Sequence, residues 1–95
     1  MHVITRKRLN DFAARHPSCR AGLAQWFKEI RRGIFPDIQS VRAVFPHADK
    51  VGKFTVFNVG GNKVRIIAAI HYNRGKVYIR HVLTHSEYDK GAWKK

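Results

Sequence analysis

FTVFNVGGNKVRIIAAIHYNRGKVYIRHVLTHSEYD, from Phe54 to Asp89, is the stretch that decides the fold. Phe54–Val59 is a β-branched and aromatic run. Gly60-Gly61-Asn62 breaks it with residues that tolerate positive φ, a hairpin signal. The longest strand candidate is Lys63–Tyr72; Asn73-Arg74-Gly75 forms a second turn, and Lys76–Thr84 returns. Three antiparallel strands are expected, and after them a tail, His85–Lys95, with a short helical turn.

Alternation assigns the faces. Val64, Ile66, Ala68, Ile70 and Tyr72 share one side, matched by Val77, Ile79 and Leu83 on the returning strand. A two-residue turn at Arg74-Gly75 pairs Ala69 with Arg80 and Arg65 with Thr84. That register gathers Arg65, His71, Tyr78, Arg80 and Thr84 on the second face and separates His71 from His81. Val56, Ile67, Ala69 and Val82 fall on the second face too, so it reads as half-covered and concave. Two arginines and a tyrosine there favour an anion site over arginines that merely snorkel at a sheet edge.

Upstream, His2–Thr5 is a short strand that adds an edge to this sheet. Arg6–His16 carries Leu9, Phe12, Ala13 and His16 at helical spacing, and Pro17 stops it. Ser18 is the expected N-cap of a second helix with the stripe Leu23, Trp26, Phe27 and Ile30, ended by Gly33. Lys28, Arg31 and Arg32 suit its C-terminal dipole. These two helices are expected to cover the apolar sheet face. Ile34–Lys53 is the least regular stretch, with one helical turn docked by Val41, Val44 and Phe45. Lys50 and Lys53 are expected to bring positive charge to the lip of the sheet.

Ninety-five residues form a single domain, 1–95. Nineteen Lys and Arg against six acids give a net charge of +13. A field of that size speaks of partners. Nucleic acid leads, because phosphate neutralisation supplies most sequence-independent affinity. A membrane surface fits less well, since the basic residues do not line one amphipathic helix. The bland alternative is a merely soluble basic protein. Cys19 is alone, so no intramolecular disulfide forms. MHVITRKR has no apolar core and the longest apolar run is Ile66–Ile70, so neither a signal peptide nor a membrane span is expected and the cytoplasm follows.

The chemistry narrows by residue type. Gly60-Gly61 lacks the context of a phosphate loop. Cys19 has no evident base, and the six histidines form no convincing metal site. Neither a metal nor a cofactor is expected. RNA cleavage by its own 2′-hydroxyl remains: the protein holds the nucleotide in line, stabilises the phosphorane and shuttles two protons. Arginine suits the charge, histidine or tyrosine the proton, and an aromatic ring the splayed base. Arg65, Arg80, His85 and Tyr88 form such a set.

FNVGGNKVRIIAAI followed by YIRHVLTHSEYDKGAW resembles the HigB family of toxins, within the RelE-like ribonuclease superfamily of type II toxin–antitoxin modules. The resemblance covers most of the chain and is densest at Phe57–Asn62, Arg65 and Thr84–Asp89. It implies an α/β (α+β) fold, two N-terminal helices on one face of a small, mainly antiparallel sheet, with a short C-terminal helical turn. It further implies metal-independent cleavage of mRNA on the ribosome, in the 30S A site, and neutralisation by a HigA-like helix-turn-helix antitoxin. Carried over by position, Arg65 and Arg80 stabilise the phosphate, His85 donates the proton and Tyr88 contacts the scissile nucleotide. Lys50, Lys53, Asn62, Lys63, His71 and Tyr78 are RNA-binding candidates. Lys63, His71 and Tyr88 remain open as general base, and Asp89 orients Arg65 or Arg80, or caps the last turn. The competing class is a basic RNA- or ribosome-binding module without chemistry.

Overall fold

The structure, a computed structural model, describes residues 1–60 and 63–94. The expected Gly60-Gly61-Asn62 turn therefore lies partly outside the described residues; Gly60 itself has φ +64. The sheet has five strands: β1 His2–Ile4, β2 Asp49–Val51, β3 Phe54–Val59, β4 Val64–His71 and β5 Lys76–Thr84. Their order is β1-β5-β4-β3-β2, with β1 parallel to β5 and the other pairs antiparallel. The helices are α1 Lys7–Arg15, α2 Arg20–Arg32, α3 Ile38–Val44 and α4 His85–Lys90.

One face carries the main core. Leu9, Phe12 and Ala13 of α1 and Leu23, Trp26 and Ile30 of α2 bury against Phe57, Val64, Ile66, Ala68, Val77, Ile79 and Val82. Trp26 and Phe45 both meet the Phe57 ring edge-on, at 5.3 and 5.2 Å. Ile66 and Ile79 are sealed at the centre, where truncation to alanine costs about 2–5 kcal/mol. The expected helical cover is thus present, and so is the edge strand β1.

Several expectations need correction. Ser18 does not cap α2: Pro17 fixes φ early, a 3₁₀ turn winds over Pro17–Cys19, and Cys19 occupies the cap without a side-chain bond. Gly33 ends α2 in an extended conformation. Glycine is needed there because a Cβ would meet the Phe35 ring at 2.1 Å. The irregular stretch holds more than one helical turn. Asp37 accepts from the Ser40 N–H at 2.9 Å and starts α3. Beyond it β2 pairs with β3 around Gly52, φ +60; three residues with no apolar alternation gave no strand signal.

The register of β4 on β5 also differs. Tyr72–Arg74 winds into a 3₁₀ turn closed by Gly75 at φ +63, so Ala69 pairs with Tyr78 rather than Arg80. A bulge then takes up one residue: Ala68 faces Ile79, while Ile67 faces His81. Arg65 therefore lies opposite Leu83 instead of Thr84. Val82 joins the helix-side core, and Leu83 turns to the open side. Thr84, paired with Val64, leaves the arginine face, and His81 joins the same face as His71.

The open face is covered in part by the chain's own tail. Val56, Ile67 and Trp93 form a second buried cluster with Phe54, Leu83 and Tyr88 packed on it.

Candidate active site

Arg65 is the second residue of β4, flanked by Asn58 on β3 and Leu83 on β5. Its residue is 7 % exposed, a costly position for a permanent charge without partners. What reaches it is α4, which begins the moment β5 ends. Thr84 Oγ1 accepts from the Glu87 N–H at 3.2 Å, and Glu87 Oε1 accepts from the Thr84 N–H at 3.0 Å. This capping box fixes the first turn. The bond from the Thr84 backbone holds the Glu87 carboxyl below its ordinary range. The His85 N–H donates to the Lys63 carbonyl at 3.2 Å, tying α4 to the start of β4.

With α4 so placed, His85 Nδ1 lies 3.1 Å from Arg65 Nη2. A guanidinium only donates, so Nδ1 accepts and the imidazole proton sits on Nε2. One helical turn on, Asp89 Oδ2 stands 3.2 Å from that Nε2. The Arg65 Cζ lies 5.3 Å from the Tyr88 ring centroid, within cation–π range. Tyr88 is stacked on Trp93 at 5.1 Å and 14°. The indole N–H of Trp93 closes the tail by donating to the Tyr88 carbonyl at 3.0 Å.

Three of the four expected catalytic residues, Arg65, His85 and Tyr88, therefore converge. Arg80 stands apart. It is the extra residue of the bulge, exposed, and alternation from helix-facing Ile79 keeps it on the open side. Three residues, about 10 Å of strand, separate it from Leu83 opposite Arg65.

The remaining candidates scatter. Lys63 is exposed beside His85, joined through its carbonyl. Asn62 lies outside the described residues. His71 and Tyr78 meet edge-on at 5.0 Å, but six residues of β4, about 20 Å, divide His71 from Arg65, and Tyr78 pairs with Ala69, four residues along. Lys53 reaches the Phe54 ring at 5.4 Å. Lys50, expected at the lip of the sheet, pairs with Thr55, opposite helix-side Ala68, and with Lys53 borders a cavity beside Asp37, Ile38 and Tyr72.

Asp89 holds His85 rather than either arginine, a partnership that the i,i+4 spacing already signals once the segment is helical. Trp93 and Asn58 lie in the stretches that carry the resemblance, which implied no role for either. Among the described residues no group of three or more His, Cys, Asp or Glu gathers to hold a metal ion. Nor, among them, is any helix long and apolar enough to cross a membrane.

Chemically the cluster is a fixed cation touching an imidazole whose far nitrogen is held by a carboxylate, beneath a phenol ring. Such a set stabilises an oxyanion and moves a proton within one contact distance.

Residues 19–91 match the model of a family described as HigB_toxin, the RelE-like toxic component of a toxin–antitoxin system. The chain is 42 % identical over 92 residues to the mRNA interferase toxin HigB of Escherichia coli strain K12, covering 94 % of this chain and 88 % of that one. The mRNA interferase HigB of Shigella flexneri matches to the same extent. That of Escherichia coli O6:H1 strain CFT073 is 30 % identical over 93 residues, covering 95 % and 90 %.

Proposed function

The chain belongs to the HigB family of RelE-like toxins of toxin–antitoxin systems, and from that premise we propose that it is an endoribonuclease that cuts mRNA at the Arg65–His85–Tyr88 cluster. The 2′-hydroxyl of the nucleotide before the cut attacks the neighbouring phosphorus. The P–O5′ bond breaks, leaving a 2′,3′-cyclic phosphate and a free 5′-hydroxyl. Arg65 binds the non-bridging oxygens and stabilises the phosphorane. When the phosphate takes up the Arg65 donors, His85 Nδ1 is released and takes a proton from water; held at Nε2 by Asp89, the ring then gives that Nδ1 proton to the leaving 5′-oxygen. Tyr88 packs against the scissile nucleotide. Lys63, whose backbone meets His85, and Tyr88 are the candidates to take the 2′-hydroxyl proton; His71 lies far along β4. Arg80 binds the flanking strand.

The finer assignments are an mRNA held in the 30S A site of a ribosome, a HigA-like helix-turn-helix antitoxin as neutralising partner, and action in the cytoplasm. The net charge of +13 supports the ribosomal setting. The observation that carries the reading is the 3.1 Å contact between Arg65 and His85 beneath the Tyr88 ring.

The test maps cleavage ends on one mRNA and asks for a 2′,3′-cyclic phosphate. His85→Ala is expected to lose cleavage and growth inhibition while keeping ribosome affinity. Undiminished cutting by that variant removes His85 as the acid. Wild-type protein that binds ribosomes but leaves mRNA intact makes this a binding module instead.

A further inference from the structure

Beyond Tyr88 the rings continue. Trp93 lies under Tyr88, and Phe54 meets Trp93 at 6.4 Å and 62°. Arg65, Tyr88, Trp93 and Phe54 thus form a line of π contacts running from β4 across the open face to the β2–β3 turn. At its far end is a cavity of about 300 Å³ lined by Val51, Gly52, Lys53, Phe54, Trp93 and Lys94. Its volume stands at the lower end for small-molecule sites, suited to one planar heterocycle.

The geometry points to a nucleobase subsite: this cavity takes the base of a nucleotide flanking the cleaved bond. The subsite rests on the nuclease reading above and adds a second contact to the same strand. Three observations choose RNA as the occupant. The walls are aromatic and half-buried Phe54 offers its ring, the surface on which unpaired bases stack irrespective of sequence. The rim is cationic: Lys53 Nζ sits 5.4 Å from the Phe54 centroid and Lys94 Nζ 5.6 Å from that of Trp93. A base stacked below would leave its phosphates beside both ammonium groups. Finally, Trp93 both lines the cavity and stacks on Tyr88, whose ring meets Arg65, so a strand whose phosphate lies at Arg65 has the cavity two ring contacts away. Gly52 lines the cavity's mouth at a positive φ of +60, the turn conformation that favours glycine.

Trp93 offers its own signal. The other tryptophan, Trp26, is sealed on the helix face, so a change in emission on binding reports Trp93. The probe is a fully 2′-O-methylated hexanucleotide, which cannot be cut, with a matched series in which one base at a time is removed. Titration is expected to quench Trp93, and loss of one base in the series is expected to weaken binding by about 5-fold or more. Phe54→Leu, which keeps apolar volume but not the ring, should weaken the intact strand similarly and show no further loss with that abasic strand. Lys53→Ala should weaken both strands alike.

Cleavage of ribosome-bound mRNA separates the two claims. If wild type cuts while Phe54→Leu and Lys53→Ala keep its kcat/KM and the same abasic ratio, the subsite is wrong and the nuclease reading stands. If those variants bind and cut RNA normally but escape the antitoxin, the cavity is a protein-docking site and the proposal again fails. If wild type neither quenches with the hexanucleotide nor cuts mRNA, both fall.

Discussion

Arg65 Nη2 and His85 Nδ1 stand 3.1 Å apart, and the contact is one-directional: the guanidinium gives and the imidazole receives. The pair satisfies itself in the absence of substrate. A phosphate entering between the two claims the same donors and leaves Nδ1 facing an anion, so the resting contact prepares the order of events at the site.

Arg65→Lys should keep the charge and lose the geometry. An ammonium is a point donor that cannot both grip two phosphate oxygens and keep the donor to His85 beside the Tyr88 ring. Cleavage is expected to fall roughly 100-fold or more, and the melting temperature to fall as well, because the charge at this buried position loses its fitted contact with His85. Single-turnover rates on ribosome-bound mRNA measure the first, a melting curve the second. A lysine variant that cuts at the wild-type rate would show that charge alone suffices at this position.

Asp89→Asn separates positioning from stability. His85 and Asp89 side chains are 55 % and 60 % exposed, so as a helical i,i+4 pair they contribute at most about 0.5 kcal/mol to folding. The carboxylate, however, accepts only, whereas an amide can also donate and turn the imidazole round, as wrong-tautomer variants of other enzymes do. A roughly 10-fold loss of rate with an unchanged melting temperature is expected. Nitrogen NMR of His85 should show Nε2 protonated in wild type and a mixed population in the variant; one unaltered tautomer and rate would refute the role.

Thr84→Ala removes the cap on which α4 hangs. Loss of such a cap costs about 1 kcal/mol, but α4 has only six residues, so its first turn should fray. His85 and Tyr88 both sit in that helix, and cleavage should drop more than stability does. Thr84→Ser restores the hydroxyl and should restore the rate. Failure of serine to rescue would mean that the Thr84 methyl, not the hydrogen bond, matters.

Much of this was legible because alternation and helical spacing are local. β3, β5, the two N-terminal helices and the half-covered face follow from apolar periodicity, and the pairing of Arg65 with His85 follows from the block Thr84–Asp89. The register was less so. Whether Tyr72–Arg74 makes a tight turn or a 3₁₀ turn depends on a single residue more or less, and the bulge at Arg80 leaves no mark in composition. That one insertion left Arg80 unpaired in the bulge and put Val82 in the core in place of Leu83. β2 was hidden for another reason: at Asp49–Val51 pairing with β3 supplies the strand, with no apolar pattern of its own. Trp93 reads as any tail aromatic until the tail is seen to fold back over Val56 and Ile67.

His81 should make stability depend on pH. Burial pushes its imidazole below the ordinary value of 6.5, and the charges of Arg8 from α1 and Arg80 from the bulge push the same way. The unfolded chain therefore takes up a proton near 6.5 while the folded chain still resists it. Below that pH the unfolded state binds more protons, so stability falls as pH drops until the folded-state pKa is passed. Urea midpoints taken at about pH 7.5 and about pH 5, on either side of the ordinary histidine value, should show wild type weaker at the lower pH. His81→Gln, which has no titrating ring, should reduce that difference, and Arg8→Ala should reduce it partly by removing one of the two positive charges that lower the imidazole's pKa. If His81→Gln keeps the whole pH dependence, the proton is being taken up elsewhere in the chain.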